Sequence, residues 1–142
     1  MKKLAVLLLV SLASCVTPHA MDPRLVPVAS DRELVMELRS LLAGERMSTE
    51  NGDHPYKVIG DVKAELAQRW SVGLEDVVSV SRRRVSVGLP ERAVVAAWGE
   101  PLRTDKADGG AVWVYPSIAG IGPRLVHFVS GSVVKVEPNE GF

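Results

Sequence analysis

The stretch from Val87 to Pro101, V-G-L-P-E-R-A-V-V-A-A-W-G-E-P, constrains the fold of this chain more than any other. Gly88 interrupts the segment before it, Pro90 presets φ for a helix start, and Val94, Val95 and Trp98 recur at helical spacing. Gly99 offers a left-handed stop and Pro101 forbids resumption. Beyond Pro101 the chain is β in character, with Trp113 and Phe128 in strand patterns. The expectation is an α+β, two-layer domain: short helices packed on a small antiparallel sheet of about three strands, preceded by a signal peptide and an amphipathic helix.

The N-terminus addresses the chain. Lys2 and Lys3 form a positive n-region, Leu4 to Leu12 is an apolar run, and Leu12-Ala13-Ser14-Cys15 ends it. The run is shorter than the roughly 20 residues a bilayer span needs. The ending resembles the lipobox of bacterial lipoprotein precursors. That resemblance implies cleavage before Cys15, a diacylglycerol thioether on its sulfur and a fatty acyl chain, such as palmitate, on its amine. Two or more acyl chains anchor firmly, each buried methylene contributing about 0.8 kcal/mol. Val16 stands where an Asp would retain such a protein at the inner membrane. The expected location is therefore the periplasmic face of the outer membrane, or the outer face of the cell membrane in a single-membrane source.

Charge bears on partners. The chain has 17 basic and 17 acidic residues, and loss of Lys2 and Lys3 with the leader leaves a formal charge of about −2. Bulk attraction to nucleic acid is thereby excluded as an expectation.

Residues 1–14 read as signal peptide and 15–29 as a lipidated tether, extended by Pro18, Pro23 and Pro27 and reaching roughly 40 Å. Residues 30–72 read as an N-terminal helical region. Ser30-Asp31-Arg32-Glu33 is a capping-box pattern leading into Leu34, Val35, Leu38, Leu41 and Leu42 at helical spacing. Glu45 to Tyr56 reads as a loop with Pro55 as a breaker. Asp61 reads as the cap of a short helix with Val62, Leu66, Arg69 and Trp70 on one side, and Leu74 to Arg83 as a further helix with Val77 and Val78 inward. Arg82-Arg83-Arg84 suits a solvated helix end. Asp108-Gly109-Gly110 signals a hairpin. Strands come next at 111–115, 124–129 and 132–137, and 138–142 is a tail. Val112 and Val114 oppose Trp113 and Tyr115, as Val126 and Phe128 oppose Leu125, His127 and Val129. Both faces are apolar, so a cover for the second face is expected: the Ser30 to Ala43 helix, a second copy or another protein.

Residues 73–137 resemble the BamE/SmpA/OmlA family of small outer-membrane lipoproteins. The resemblance is carried by Gly88-Leu89, Val94, Trp98-Gly99-Glu100-Pro101, Trp113-Val114-Tyr115, Phe128 and Gly131. Pro90 stands where that family commonly has a Ser or Thr cap. Each matched residue has a structural role, so the resemblance implies a fold more than an activity.

Chemistry is sparse. HExxH, CxxC, P-loop and GxSxG patterns are missing from the sequence, and His19, His54 and His127 have no metal-ligand spacing. Ser132-Val133-Val134-Lys135 fits S-x-x-K, but regular strand alternation would put its ends on opposite faces. The expectation is a non-catalytic module without cofactor, metal or small-molecule substrate. It carries covalent lipid on Cys15 and binds another envelope protein, as an accessory or scaffold in outer-membrane assembly or envelope integrity. The alternative is a binding inhibitor of a periplasmic hydrolase, similar in architecture to β-lactamase-inhibitor proteins.

Overall fold

The computed structural model describes residues 19–44, 54–118 and 120–141. The signal peptide, Cys15 and most of the loop from Glu45 lie outside them.

Helix α1 (Asp31–Leu42) begins as its sequence dictates: the Ser30 hydroxyl accepts from the Glu33 amide at 3.3 Å, and the Glu33 carboxylate accepts from the Ser30 amide at 2.7 Å. Its inward stripe of Leu34, Val35, Leu38 and Leu41 is buried, each side chain contributing about 1.5–3 kcal/mol. Helix α2 (Pro55–Trp70) starts six residues before Asp61, which is an exposed mid-helix residue and caps nothing. Pro55 does not break this helix. It serves at the first helical position, where its missing N–H is not needed, and His54 Nδ1 caps by accepting from the Tyr56 amide at 3.3 Å. Val58, Val62, Leu66 and Trp70 form the buried side of α2.

Helix α3 (Leu74–Ser81) buries Val77 and Val80 rather than the expected pair Val77 and Val78, because residues three apart share a helix face. Helix α4 (Glu91–Trp98) begins after Pro90, which makes no side-chain cap. Gly99 ends α4 at φ 85°, ψ −170°, a positive-φ conformation that is not the helical left-handed one and that suits only glycine.

The sheet has four antiparallel strands in sequential order, not three: β1 (Arg103–Ala107), β2 (Gly110–Tyr115), β3 (Arg124–Val129) and β4 (Ser132–Pro138). The extra strand, β1, is R-T-D-K-A, a mostly exposed edge without apolar alternation. It is held by its register to β2, from Arg103 opposite Val114 to Ala107 opposite Gly110. Its charges also protect an edge that would otherwise template aggregation. Ser130 and Gly131, at φ 51° and 77°, make the two-residue turn between β3 and β4.

Among the described residues the four α-helices form one layer, α1 lying against α2, α3 and α4. One face of the sheet joins their core through Trp113, Tyr115, Val126, Phe128 and Val133. The hinge between the layers is short. The Gly88 amide donates to the Val133 carbonyl, and the Val133 amide to the Leu89 carbonyl, both at 2.8 Å. Helix α4 is thereby aligned across the start of β4.

Two expectations change at this level. The Ser30 to Ala43 helix does not cover the second sheet face, since its buried residues share a core with Trp113 and Phe128 on the first. The tether is also shorter than expected, because Ala20 and Val26 are buried and residues 23–25 form a 3-10 turn. Arg69 accounts for this packing by donating to the carbonyls of Ala29 (2.7 Å), Pro27 (2.9 Å) and Val26 (3.3 Å). The Met21 amide adds a 2.6 Å bond to the buried Glu37 carboxylate.

Candidate functional site

The motif residues converge at the joint between α4 and the sheet. Trp98 meets the Tyr115 ring edge-on at 5.3 Å, and Trp113 meets Phe128 at 4.5 Å. The Tyr115 hydroxyl donates to the Gly99 carbonyl at 2.9 Å. Burial, then the charge of Glu100, pushes that hydroxyl well above its ordinary pKa. Val94 is fully buried behind them and Pro101 half-buried, while Gly88 and Gly131 occupy positive-φ turns at the surface. These residues act as a structural joint. Their chemistry is packing.

A second junction has no signature in the sequence. Asp31, the first residue of α1, accepts from Trp70 Nε1 (2.8 Å) and from Arg69 (3.1 Å) on α2, and twice from Arg92 (3.0 Å each) on α4. Burial pushes the Asp31 carboxyl up, but the bonds from Trp70 and Arg69 and the charge of Arg92 together hold it below its ordinary value.

Beside this junction lies an arginine-lined trough. Arg32, Met36 and Arg39 fall at positions i, i+4 and i+7 of α1, on one side of the helix. Across from them run Ala96, Ala97 and Trp98 of α4. Arg83 enters from the turn after α3, where its φ of 60° redirects the chain and Trp98 Nε1 donates to its carbonyl at 2.8 Å. Arg39 Nε reaches across to the Ser81 carbonyl at 2.8 Å. Two hollows, of about 230 and 330 Å³, share Arg39 and Arg83, and no carboxylate is among the described residues lining either. Burial, then the neighbouring charge of Arg83, lowers the pKa of Arg39. Arg82 is exposed, as a solvated helix end should be, whereas Arg83 is half-buried in the trough. The only sequence signal of the trough is Arg32 and Arg39 seven residues apart.

The outer sheet face is the third surface. Register places Val112, Val114, Leu125, His127 and Val129 there: Val114 is buried, Val112, Leu125 and His127 are half-buried, and only Val129 among these five is exposed. Charged residues of the edge strands border this strip. Arg103 pairs with Asp105 at 2.9 Å, His127 Nε2 lies 2.8 Å from Glu137, and Lys135 also pairs with Glu137. Hydrogen bonds from Lys135 and His127 hold the Glu137 carboxyl below its ordinary value.

A bulge between His127 and Phe128 shifts the register so that Ser132 and Lys135 both oppose outer-face residues, Val129 and His127. The expected opposite-face placement of this S-x-x-K pair is thus incorrect, although Lys135 is engaged by Glu137 rather than by Ser132. Among the described residues no cluster of three or more His, Asp or Glu is arranged to hold a metal ion. Among them, too, no helix is long and apolar enough to cross a membrane. Comparison with protein-family models, curated proteins and solved structures finds no match for this chain.

Proposed function

We propose that this chain is a non-catalytic, protein-binding module of a bacterial envelope, held by acylated Cys15 on the periplasmic face of the outer membrane and serving there as an accessory or scaffold in outer-membrane assembly. The observation that carries the reading is the outer sheet face, where Val129 is exposed and Val112 and Leu125 are half-buried around the buried Val114, rimmed by charged residues. An apolar centre with a polar rim is the anatomy of a protein interface.

The attachment point adds to it. Cys15 precedes the buried Ala20 by five residues, a reach of at most about 18 Å. An anchored domain on so short a link stays at the membrane surface, where confinement raises its effective concentration for partners sharing that surface.

Two experiments test this. Cys15→Ala should release the protein from membranes or leave it as an unprocessed precursor, and a mature membrane-bound Cys15→Ala protein overturns the anchor. A photocrosslinking side chain at Val129, which is 45% exposed, should capture a β-barrel or its assembly machinery in intact envelopes. Capture of a soluble hydrolase instead would favour the inhibitor alternative, and no capture would refute binding through this face.

A further inference from the structure

We propose that the arginine trough between α1, α4 and the end of α3 receives an acidic, extended polypeptide segment of the partner protein. This deepens the reading of the domain as a protein-binding module and is independent of lipidation at Cys15. Arg32, Arg39 and Arg83 line one hollow of about 230 Å³, and no carboxylate stands among its described lining residues. Arg39 is half-buried beside the like charge of Arg83. Cations gathered and partly desolvated without a counter-charge are unfavourable, and a bound anion relieves both penalties. Guanidinium forks suit carboxylates, which they bind with two parallel hydrogen bonds.

The spacing selects a chain over a small anion. Arg32 and Arg39 lie seven residues apart on α1, about 10 Å along its axis. Between them the trough presents Met36, 55% exposed, opposite Trp98. A single phosphate spans no such distance and has no use for an apolar floor. In an extended segment of polyproline II form, residues three apart share a side and lie about 9 Å from one another. The fitting ligand is therefore acidic–x–x–acidic with an apolar residue between, complementary to the trough in charge and in spacing.

The test is titration of the purified full chain with a fluorescent peptide of about twelve residues carrying Glu at every third position, against its Gln counterpart. The Glu peptide should bind at least about tenfold more tightly, and more weakly as salt is raised. Arg32→Gln changes an exposed side chain, and Arg83→Asn keeps a residue tolerant of positive φ. Each should weaken binding by about fivefold with the melting temperature unchanged. Equal binding of the two peptides, or indifference to both substitutions, overturns the proposal. So does arginine-dependent binding to anionic phospholipid vesicles without binding of the Glu peptide. Crosslinking from Val129 is unaffected by any of these results, so failure at the trough is distinguishable from failure of the protein-binding reading.

Discussion

Replacing Asp31 with Asn isolates the junction that ties α1 to α2 and α4. The side chain keeps its shape but loses its charge and one acceptor atom, and the new amide N–H groups meet the N–H donors of Trp70, Arg69 or Arg92. Asp31 is only 13% exposed, Arg69 17% and Arg92 61%, so the three partners contribute unequally. The Arg92 pair faces water and contributes less than about 1 kcal/mol. The sheltered bonds from Trp70 and Arg69 contribute about 1–2 kcal/mol each. Asp31→Asn thus destabilises by about 2–3 kcal/mol, a large part of a typical stability of about 5–15 kcal/mol. At roughly 3–5 °C per kcal/mol for a domain of this size, the melting temperature falls by about 10 °C.

Acid adds a second signature to the same variant. The folded carboxyl is held below its ordinary value of 3.8. Its contribution is therefore present in full above about pH 4 and is lost as pH falls through the folded value. The wild type should lose stability more steeply below about pH 4 than Asp31→Asn, in melts followed by circular dichroism across a pH series. Arg92→Gln alone should cost less than about 1 kcal/mol. A variant at Asp31 that melts within about 2 °C of wild type, with a superimposable acid limb, refutes the junction as a source of stability.

Other substitutions probe the sheet and its joint. A Cβ at Gly110 would sit 1.7 Å from the Phe128 carbonyl oxygen, so Gly110→Ala must force β2 from β3. It should destabilise by about 3 kcal/mol or more, read as a lowered unfolding midpoint in denaturant. Tyr115→Phe leaves the Gly99 carbonyl without its donor and should cost about 1 kcal/mol in the same assay. An unchanged midpoint for Tyr115→Phe would show that water replaces the hydroxyl there without loss.

Local signals are legible in the sequence and long-range ones are not. The Ser30–Glu33 capping box, the limits of α4 and the alternation of β2 and β3 each depend on residues within a few positions of one another, and the structure contains them as read. Strand β1 leaves no such signal because an edge strand bonded along one side needs no apolar face. Pro55 misleads because the same residue that breaks a helix interior suits its first turn. The trough is hidden because Arg83 is more than forty residues from Arg39, and the packing of α1 on α3 brings them together. Likewise the packing of 20–29 depends on Arg69, about forty residues downstream.

That last dependence links helix α2 to the order of the segment before α1. Arg69 holds three carbonyls of the segment that comes after Cys15, and the same guanidinium meets Asp31 and Glu65. Arg69→Met keeps an apolar stem but removes every one of these bonds, loosening residues 22–29 while Met21 keeps its bond to Glu37 and α1 its own cap at Ser30. Trypsin reads the change directly, since Arg24 is exposed but lies in a 3-10 turn paired to Asp22. Cleavage after Arg24 should accelerate in Arg69→Met at temperatures where the core remains folded. Cleavage at the wild-type rate would mean that burial of Ala20 and Val26 holds the segment without Arg69.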